Sequence, residues 1–243
     1  MLPAEGLQRD PQALVRLVRE QSVSHLLCLP SLHALMLDAA KKSELSTLQV
    51  VIVAGEECAA ELVERHFDVM PTTRLYNEYG PTEASVWSSV HECERHEIVS
   101  IGRPIPNARI YILDEDMRVV PIGVAGEIYI GGAGVARGYY GRPEETAARY
   151  LPDSFGGESE ARMYRTGDRA RYRANGEIEF LGRVDNQVKI RGYRIELGEI
   201  EAVLREHSAV RESVVIATDD RVGGKRLVAY LVLDHPAETR EVR

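Results

Sequence analysis

At 243 residues the chain exceeds the roughly 100–150 residues of a common single domain, so one large or two unequal domains are expected. A hydrophobic fraction of 44% with 28% charged residues describes a globular chain with a sizeable core, and a formal net charge of -8 argues against nucleic acid or an anionic membrane as the main partner. No apolar run approaches the ~18 residues of a membrane span, no basic-then-apolar leader opens the chain, and three scattered cysteines (Cys28, Cys58, Cys93) point to a reducing cytoplasm rather than a disulfide framework.

The first elements alternate helix and strand. Asp10-Pro11 is a helix start, a capping carboxylate followed by proline at the first helical position, and "QALVRLVREQ" continues with apolar residues at helical spacing. "SHLLCLP" is a short apolar run stopped by Pro30, after which Ser31 is expected to cap "LHALMLDAAKK". "LQVVIVAG" has the near-continuous β-branched character of a strand buried on both faces. "AAELVERHF" is helical, and "TTRLY" reads as a strand ending at Tyr76. Alternation of this kind implies a parallel, helix-covered sheet, whose ligands sit beyond the carboxyl ends of its strands. "NEYGPTE" falls at such an end. His25 with Cys28, and the "HECERH" segment with His91, Cys93 and His96, lack the paired spacing of a metal site; they read as a core strand and a charged surface loop.

From residue 99 the style changes. "ARIYILDEDMRVVPIGVAGEIYIGG" reads as strands broken by Asp-Glu-Asp and Pro-Ile-Gly turns, an antiparallel or barrel-like layer. "GVARGYYGRPEETAARY" is a glycine-punctuated loop leading into a short helix from about Pro143. "MYRTGDRARYRANGEIEFLGR" places a turn at Thr166-Gly167-Asp168 and a hairpin at Asn175-Gly176. "VDNQVKIRGYRIE" is rich in strand formers, "LGEIEAVLREH" is helical, and "AVRESVVIA" and "RLVAYLVL" are apolar strands. The expected organisation is an α/β sheet layer over 1–98, a β-barrel-like layer over 99–184 and a truncated small α+β subdomain over 185–243.

Chemistry concentrates in three places. In "RLYNEYGPTEAS", a tyrosine beside a Gly-Pro turn can offer its ring to a flat heterocycle, the neighbouring Asn77 supplies an amide, and Glu83 is a hard oxygen ligand suited to Mg²⁺. Asp168 can accept hydrogen bonds from ribose hydroxyls, and Arg183 is a fork-shaped cation fit for phosphate, although the two alone would equally suit an ion pair. The glycines of "GGAGVARGYYG" lack the spacing of a phosphate cradle and read instead as a loop that needs unusual backbone angles.

On these motifs the chain resembles the adenylation domains of nonribosomal peptide synthetases, members of the adenylate-forming superfamily that includes acyl-CoA synthetases and luciferase. "NEYGPTE", "GEIYIGGAGVARGYYGRPEETAARY", "YRTGDRARY", "GRVDNQVKIRGYRIELGEIE" and "DDRVGGKRLVAYLV" match successive family motifs in order, over residues 48 to 233. The resemblance implies an incomplete adenylate-forming fold, ATP and Mg²⁺ as cofactors, and a two-step reaction. An amino acid carboxylate attacks the α-phosphorus of ATP, giving aminoacyl-AMP, and the phosphopantetheine thiol of a peptidyl carrier protein then takes the aminoacyl group. It implies that Tyr79 stacks on adenine beside Asn77 and Gly80, that Thr82 faces the phosphate, and that Glu83 binds the metal. Asp168 would hold the ribose, Arg183 would reach the phosphate, Asp185 would be a hinge, and Gly192 would line the thiol tunnel. Ile52, Ala54, Glu78, Val86 and Trp87 would line the amino acid pocket, and Glu78 points weakly to a polar or basic substrate.

The family's phosphate loop, the aspartate for the substrate's amino group and a downstream lysine have no counterpart among the 243 residues, so the chain covers roughly the second half of the family domain and alone is expected to adenylate poorly. Poor solubility is expected for the same reason. Neighbouring synthetase domains are expected partners. The alternatives are an acyl-CoA or aryl-acid ligase of the same superfamily, or a non-catalytic remnant that binds a carrier protein.

Overall fold

The computed structural model describes residues 10–158, 160–185, 187–190, 193–219 and 225–234. They form two compact units, divided between Val184 and Asp185.

The Asp10 carboxylate accepts the Ala13 amide at 3.0 Å, and Pro11 opens helix α1 (Pro11–Glu20), as the capping pattern predicts. Strand β1 (His25–Cys28) follows, then α2 (Pro30–Ala39), β2 (Val50–Ala54), α3 (Ala60–Val69) and β3 (Arg74–Tyr79). Ser31 does not cap α2. The helix begins at Pro30 behind Leu29 with no side-chain cap, and the Ser31 amide donates to Glu56 at 3.1 Å. Proline lacks the N–H that a first-turn residue could not use anyway, so the residue that stops the apolar run also starts the helix.

Strands β1, β2 and β3 are parallel neighbours, as expected, but the sheet is mixed: β4 (Ser89–Cys93) and β5 (Arg103–Pro104) add antiparallel in the order β1-β2-β3-β4-β5. The sheet therefore takes its last strand from beyond residue 98. Part of "HECERH" is not a surface loop, because His91 and Cys93 lie buried on β4 while Glu92 faces out. Period-two alternation, invisible in so charged a segment, accounts for this. Helices and sheet bury a core of Leu14, Val18, Met36, Val51, Val53, Val63 and Leu75.

The second layer is antiparallel throughout. It holds β6 (Ala108–Leu113), β7 (Gly126–Gly132), β9 (Arg162–Tyr172) and β10 (Ile178–Arg183) in the order β10-β9-β7-β6, with β8 (Tyr150–Pro152) paired to β9 after helix α4 (Pro143–Arg149). Gly102 bridges Ile178 on the β10 edge a few residues before β6 begins, so the 101–108 connection meets both edges of the layer. The Asn175-Gly176 hairpin forms as predicted, with Gly176 at φ 82°. Thr166-Gly167-Asp168 is not a turn between strands but a bulge inside β9, where the pairing jumps from Arg165 to Arg169 against Tyr129 and Glu127 and Gly167 takes φ 77°.

In the second unit β11 (Gln187–Ile190) pairs with β12 (Tyr193–Glu196), and β13 (Val210–Asp219) pairs with β14 (Lys225–Leu233). Helix α5 (Leu197–Arg205) lies on β13, where Ser213 donates to the Glu201 carbonyl at 3.0 Å and the Val215 amide to its carboxylate at 2.8 Å.

Candidate active site

Strand β3 runs three residues further than its apolar start suggests, and this decides how the "NEYGPTE" motif is laid out. Alternation puts Leu75, Asn77 and Tyr79 on the core face and Tyr76 and Glu78 on the other. The motif is thus split between two faces of one sheet.

On the core face the Asn77 amide is buried and donates to the Ser100 carbonyl at 2.8 Å. Tyr79 is only 8% exposed, packed with Ala84, Ile101 and Ile178, and its ring centroid lies 6.3 Å from that of Phe180. The Tyr79 hydroxyl donates to Asp168 Oδ2 at 2.5 Å, and Arg183 donates to Asp168 Oδ1 at 2.5 Å and to the Thr166 carbonyl at 3.1 Å. The Asp168 amide in turn donates to Thr166 Oγ1 at 2.9 Å, and that hydroxyl donates to the Ile128 carbonyl. The β9 bulge is what brings an aspartate to this spot. Burial, and then the Asp168 carboxylate, push the Tyr79 hydroxyl well above the usual tyrosine range, so it remains a donor.

After β3 the chain turns sharply. Gly80 has no room for a side chain, since a Cβ there would lie 2.4 Å from the Val86 carbonyl oxygen and 2.8 Å from the Ser88 nitrogen. Pro81 leads into a 3₁₀ turn over Thr82–Ala84, followed by Ser85 at φ 60° and Val86 at φ 73°. A β-branched residue in the left-handed region is strained, and such strain clusters at ligand sites. Thr82 is exposed on this turn. Glu83 is half-buried, and its Oε1 accepts the Tyr139 hydroxyl at 2.7 Å. The glycine-rich loop clasps the same turn, with the Ala136 amide donating to the Glu83 carbonyl at 2.9 Å and Ser85 Oγ to the Gly134 carbonyl at 2.7 Å. Gly132, Gly138 and Gly141 take positive φ, as expected of a loop needing unusual backbone angles.

On the other face of the sheet, register places Ala54 beside Glu78 and Glu78 beside Val90, with Ile52 beside Tyr76. Ile52, Ala54 and Glu78 therefore share a face, and Val86 and Trp87, both exposed, follow on the turn. Glu78 Oε2 is buried with no hydrogen-bond partner among the described residues, and burial pushes its carboxyl above the usual range. Asp185 opens the second unit and accepts the Gln187 amide at 3.3 Å. Gly192 lies outside the described residues.

Three neighbours of the site escape a sequence reading. Phe180 looks like any apolar strand residue, and Ser100 contributes only a carbonyl. Tyr139 did leave a signal, an aromatic hydroxyl doubled with Tyr140 inside an otherwise small-residue loop.

The AMP-binding enzyme family model matches residues 1–140, more than half of the chain, and the AMP-binding enzyme C-terminal domain model matches residues 199–243. A linear gramicidin synthase of Brevibacillus parabrevis is 49% identical over 229 residues, which is 94% of this chain and 4% of that relative. Two solved structures superpose well. The crystal structure of IdnL1 gives a TM-score of 0.86 at 32% identity, over 97% of this chain and 50% of its own. PA1221, a nonribosomal peptide synthetase protein containing adenylation and carrier domains, gives 0.84 at 29%, over 96% and 47%. The chain thus spans a small part of a long synthetase and about half of these solved chains. With both family models in chain order and the fold shared at this level, the chain belongs to the AMP-binding enzyme family.

Proposed function

We propose that this chain forms part of an amino acid-activating adenylation domain, working with ATP and Mg²⁺ and passing its product to the phosphopantetheine thiol of a carrier protein within a larger cytoplasmic synthetase. The observation that carries this reading is the buried Tyr79–Asp168–Arg183 cluster set against the Glu83 turn. In this reading adenine lies by Tyr79, the ribose hydroxyls meet Asp168, and Arg183 and Thr82 serve the phosphate side. Asn77 supports these groups by tying the strand to Ser100, and Gly80 by admitting the Val86 backbone.

The reaction asks for positioned charge, in-line geometry and exclusion of water more than for covalent help, and a hydrogen-bonded, largely desolvated cluster supplies the first of these. Glu83 fits Mg²⁺ by donor chemistry, a hard carboxylate oxygen of the kind this ion takes once or twice beside substrate phosphates. When bound, the ion neutralises phosphate charge. Glu78, with a buried oxygen that has no partner among the described residues, favours a substrate whose side chain brings a cation or a donor; Ile52, Ala54, Val86 and Trp87 complete that wall. Asp185, first residue of the second unit, would serve as the hinge, which its position at the division between the units supports.

The test is amino acid-dependent exchange of pyrophosphate into ATP, on the polypeptide in which the source expresses this chain. One amino acid, polar or basic, should stimulate exchange, and Asp168→Asn should lower the rate about 10²–10³-fold. Loading of a carrier protein in preference to coenzyme A should follow. Folded protein that supports no exchange with any amino acid rejects the reading.

A further inference from the structure

Tyr139, on the glycine-rich loop, reaches across to Glu83 with a single hydroxyl proton. We propose that Tyr139 is a positioning residue that holds the Glu83 carboxylate in its metal-binding orientation, and that the glycine-rich loop exists in part to present it; this rests on the reading of Glu83 as the metal ligand.

Everything around Tyr139 is built to fix that hydroxyl. Its amide donates to Thr146 Oγ1 at 2.9 Å, and the Thr146 hydroxyl returns a bond to the Arg142 carbonyl at 2.7 Å, which ties the loop to the first turn of α4. Gly138 stands at φ 138° with the Thr146 methyl 2.4 Å from where its Cβ would be, so only glycine lets the loop approach the helix this closely. The ring of Tyr139 meets that of Tyr150 edge-on at 5.5 Å, and Tyr150 in turn meets fully buried Tyr164 at 5.2 Å. The hydroxyls of Tyr139 and Tyr164 lie 3.3 Å apart. Tyr139 spends its proton on the Glu83 carboxylate, which can only accept, so Tyr164 is the donor between the two tyrosines. The result is a directed chain, Tyr164 to Tyr139 to Glu83, anchored in the β-layer core. Backbone contacts from Ala136 and Gly134 hold the rest of the turn, and the Tyr139 hydroxyl reaches the carboxylate itself.

A hydrogen-bonded partner behind a metal ligand commonly contributes 10–100-fold to metal affinity. The experiment measures binding of the Mn²⁺–ATP complex to the full chain by electron paramagnetic resonance, alongside ATP binding without metal. The variants are Tyr139→Phe and Glu83→Gln, with circular dichroism to establish folding and Tyr164→Phe as a second, more distant break in the chain. The expected result is a loss of about tenfold in Mn²⁺–ATP affinity for Tyr139→Phe, a smaller loss for Tyr164→Phe, and unchanged metal-free ATP binding for both. A purely structural hydroxyl would move both forms of binding together. Tyr139→Phe that binds Mn²⁺–ATP like the parent while Glu83→Gln does not overturns the proposal and leaves Glu83 as the ligand. A parent chain whose ATP binding is indifferent to Mn²⁺, and equally indifferent to Glu83→Gln, overturns the proposal together with the reading of Glu83 on which it rests.

Discussion

Single residues in this chain divide into those whose chemistry is visible from sequence and those whose shape is. Asp168 and Glu83 stand out in the sequence as carboxylates on short polar motifs, and the structure gives each a defined donor, Arg183 and Tyr139. Gly80 was legible as a turn residue, yet its real task is to accept the Val86 carbonyl oxygen where a Cβ would stand, 2.4 Å away. Gly80→Ala should therefore push backbone against backbone and cost about 1–3 kcal/mol, the usual scale of overpacking. Gly198 offers the control. It opens α5 with nothing within 4 Å of its missing Cβ, so Gly198→Ala should be neutral or stabilise by up to about 1 kcal/mol. Urea titration followed by Trp87, the one tryptophan, reads the first change directly, because Trp87 lies on the turn that Gly80 admits. Equal midpoints for Gly80→Ala and the parent would show that the turn yields.

At the scale of elements, α1 was readable from its cap and the other helices from period rather than caps, whereas strands depended on partners that lie far along the chain. Nothing local says that β3 continues through Asn77-Glu78-Tyr79; its pairing with β4 carries it there, and that extension sends Glu78 to the opposite face from Tyr79. The bulge at Thr166–Asp168 looked like a turn because glycine serves both, and only the register against β7 distinguishes them. The packing of α2 on α3 was equally hidden. His33 Nε2 and His66 Nδ1 lie 3.0 Å apart in the core, and His66 Nε2 lies 2.9 Å from the Thr73 carbonyl. A carbonyl can only accept, so His66 donates to Thr73 and accepts from His33, and both rings are neutral. Burial, with help from His66 and Arg65, pushes His33 down to about 3, and burial also lowers His66. These are bases whose folded pKa is depressed. The unfolded chain takes up their protons below about 6.5 while the folded chain does not, so stability must fall as pH drops from about 6.5 toward 3. His33 contributes up to about 1.4 kcal/mol per pH unit in that window, and His66 adds to the decline in the same sense. Urea midpoints measured from pH 7 to pH 5 should decline, and His33→Asn should flatten the decline whatever it does to stability at pH 7. A variant with the parent's slope would show that other groups carry the acid sensitivity.

For the whole molecule the decisive quantity is apolar surface left bare, which no sequence window reports. The β13–β14 hairpin has α5 on one face; on the other, register sets Val214 against Tyr230 and Glu212 against Val232, with Ile216 next in line. Tyr230 is 60% exposed and Val214 55%. Leu27 on the first sheet is 53% exposed as well. Covering one such side chain gains about 1.5–3 kcal/mol, so a patch of four outweighs any single surface charge repulsion. The net charge of -8 opposes association, but exposed charges are screened beyond about 8 Å at physiological ionic strength. The chain should therefore self-associate, and more strongly as salt is raised, in sedimentation velocity runs over a range of concentration. Replacing the cross-strand pair by Val214→Lys with Tyr230→Glu leaves the net charge unchanged and sets opposite charges face to face, a pairing that antiparallel strands accept. If the bare hairpin face drives association, this double variant sediments as a smaller species at every salt concentration while its circular dichroism matches the parent. If the two sediment alike, association runs through another surface, and the first sheet, with Leu27 beside Ile52, is the next to alter. A parent chain that stays monomeric at high concentration and high salt would show that these exposed side chains do not drive association.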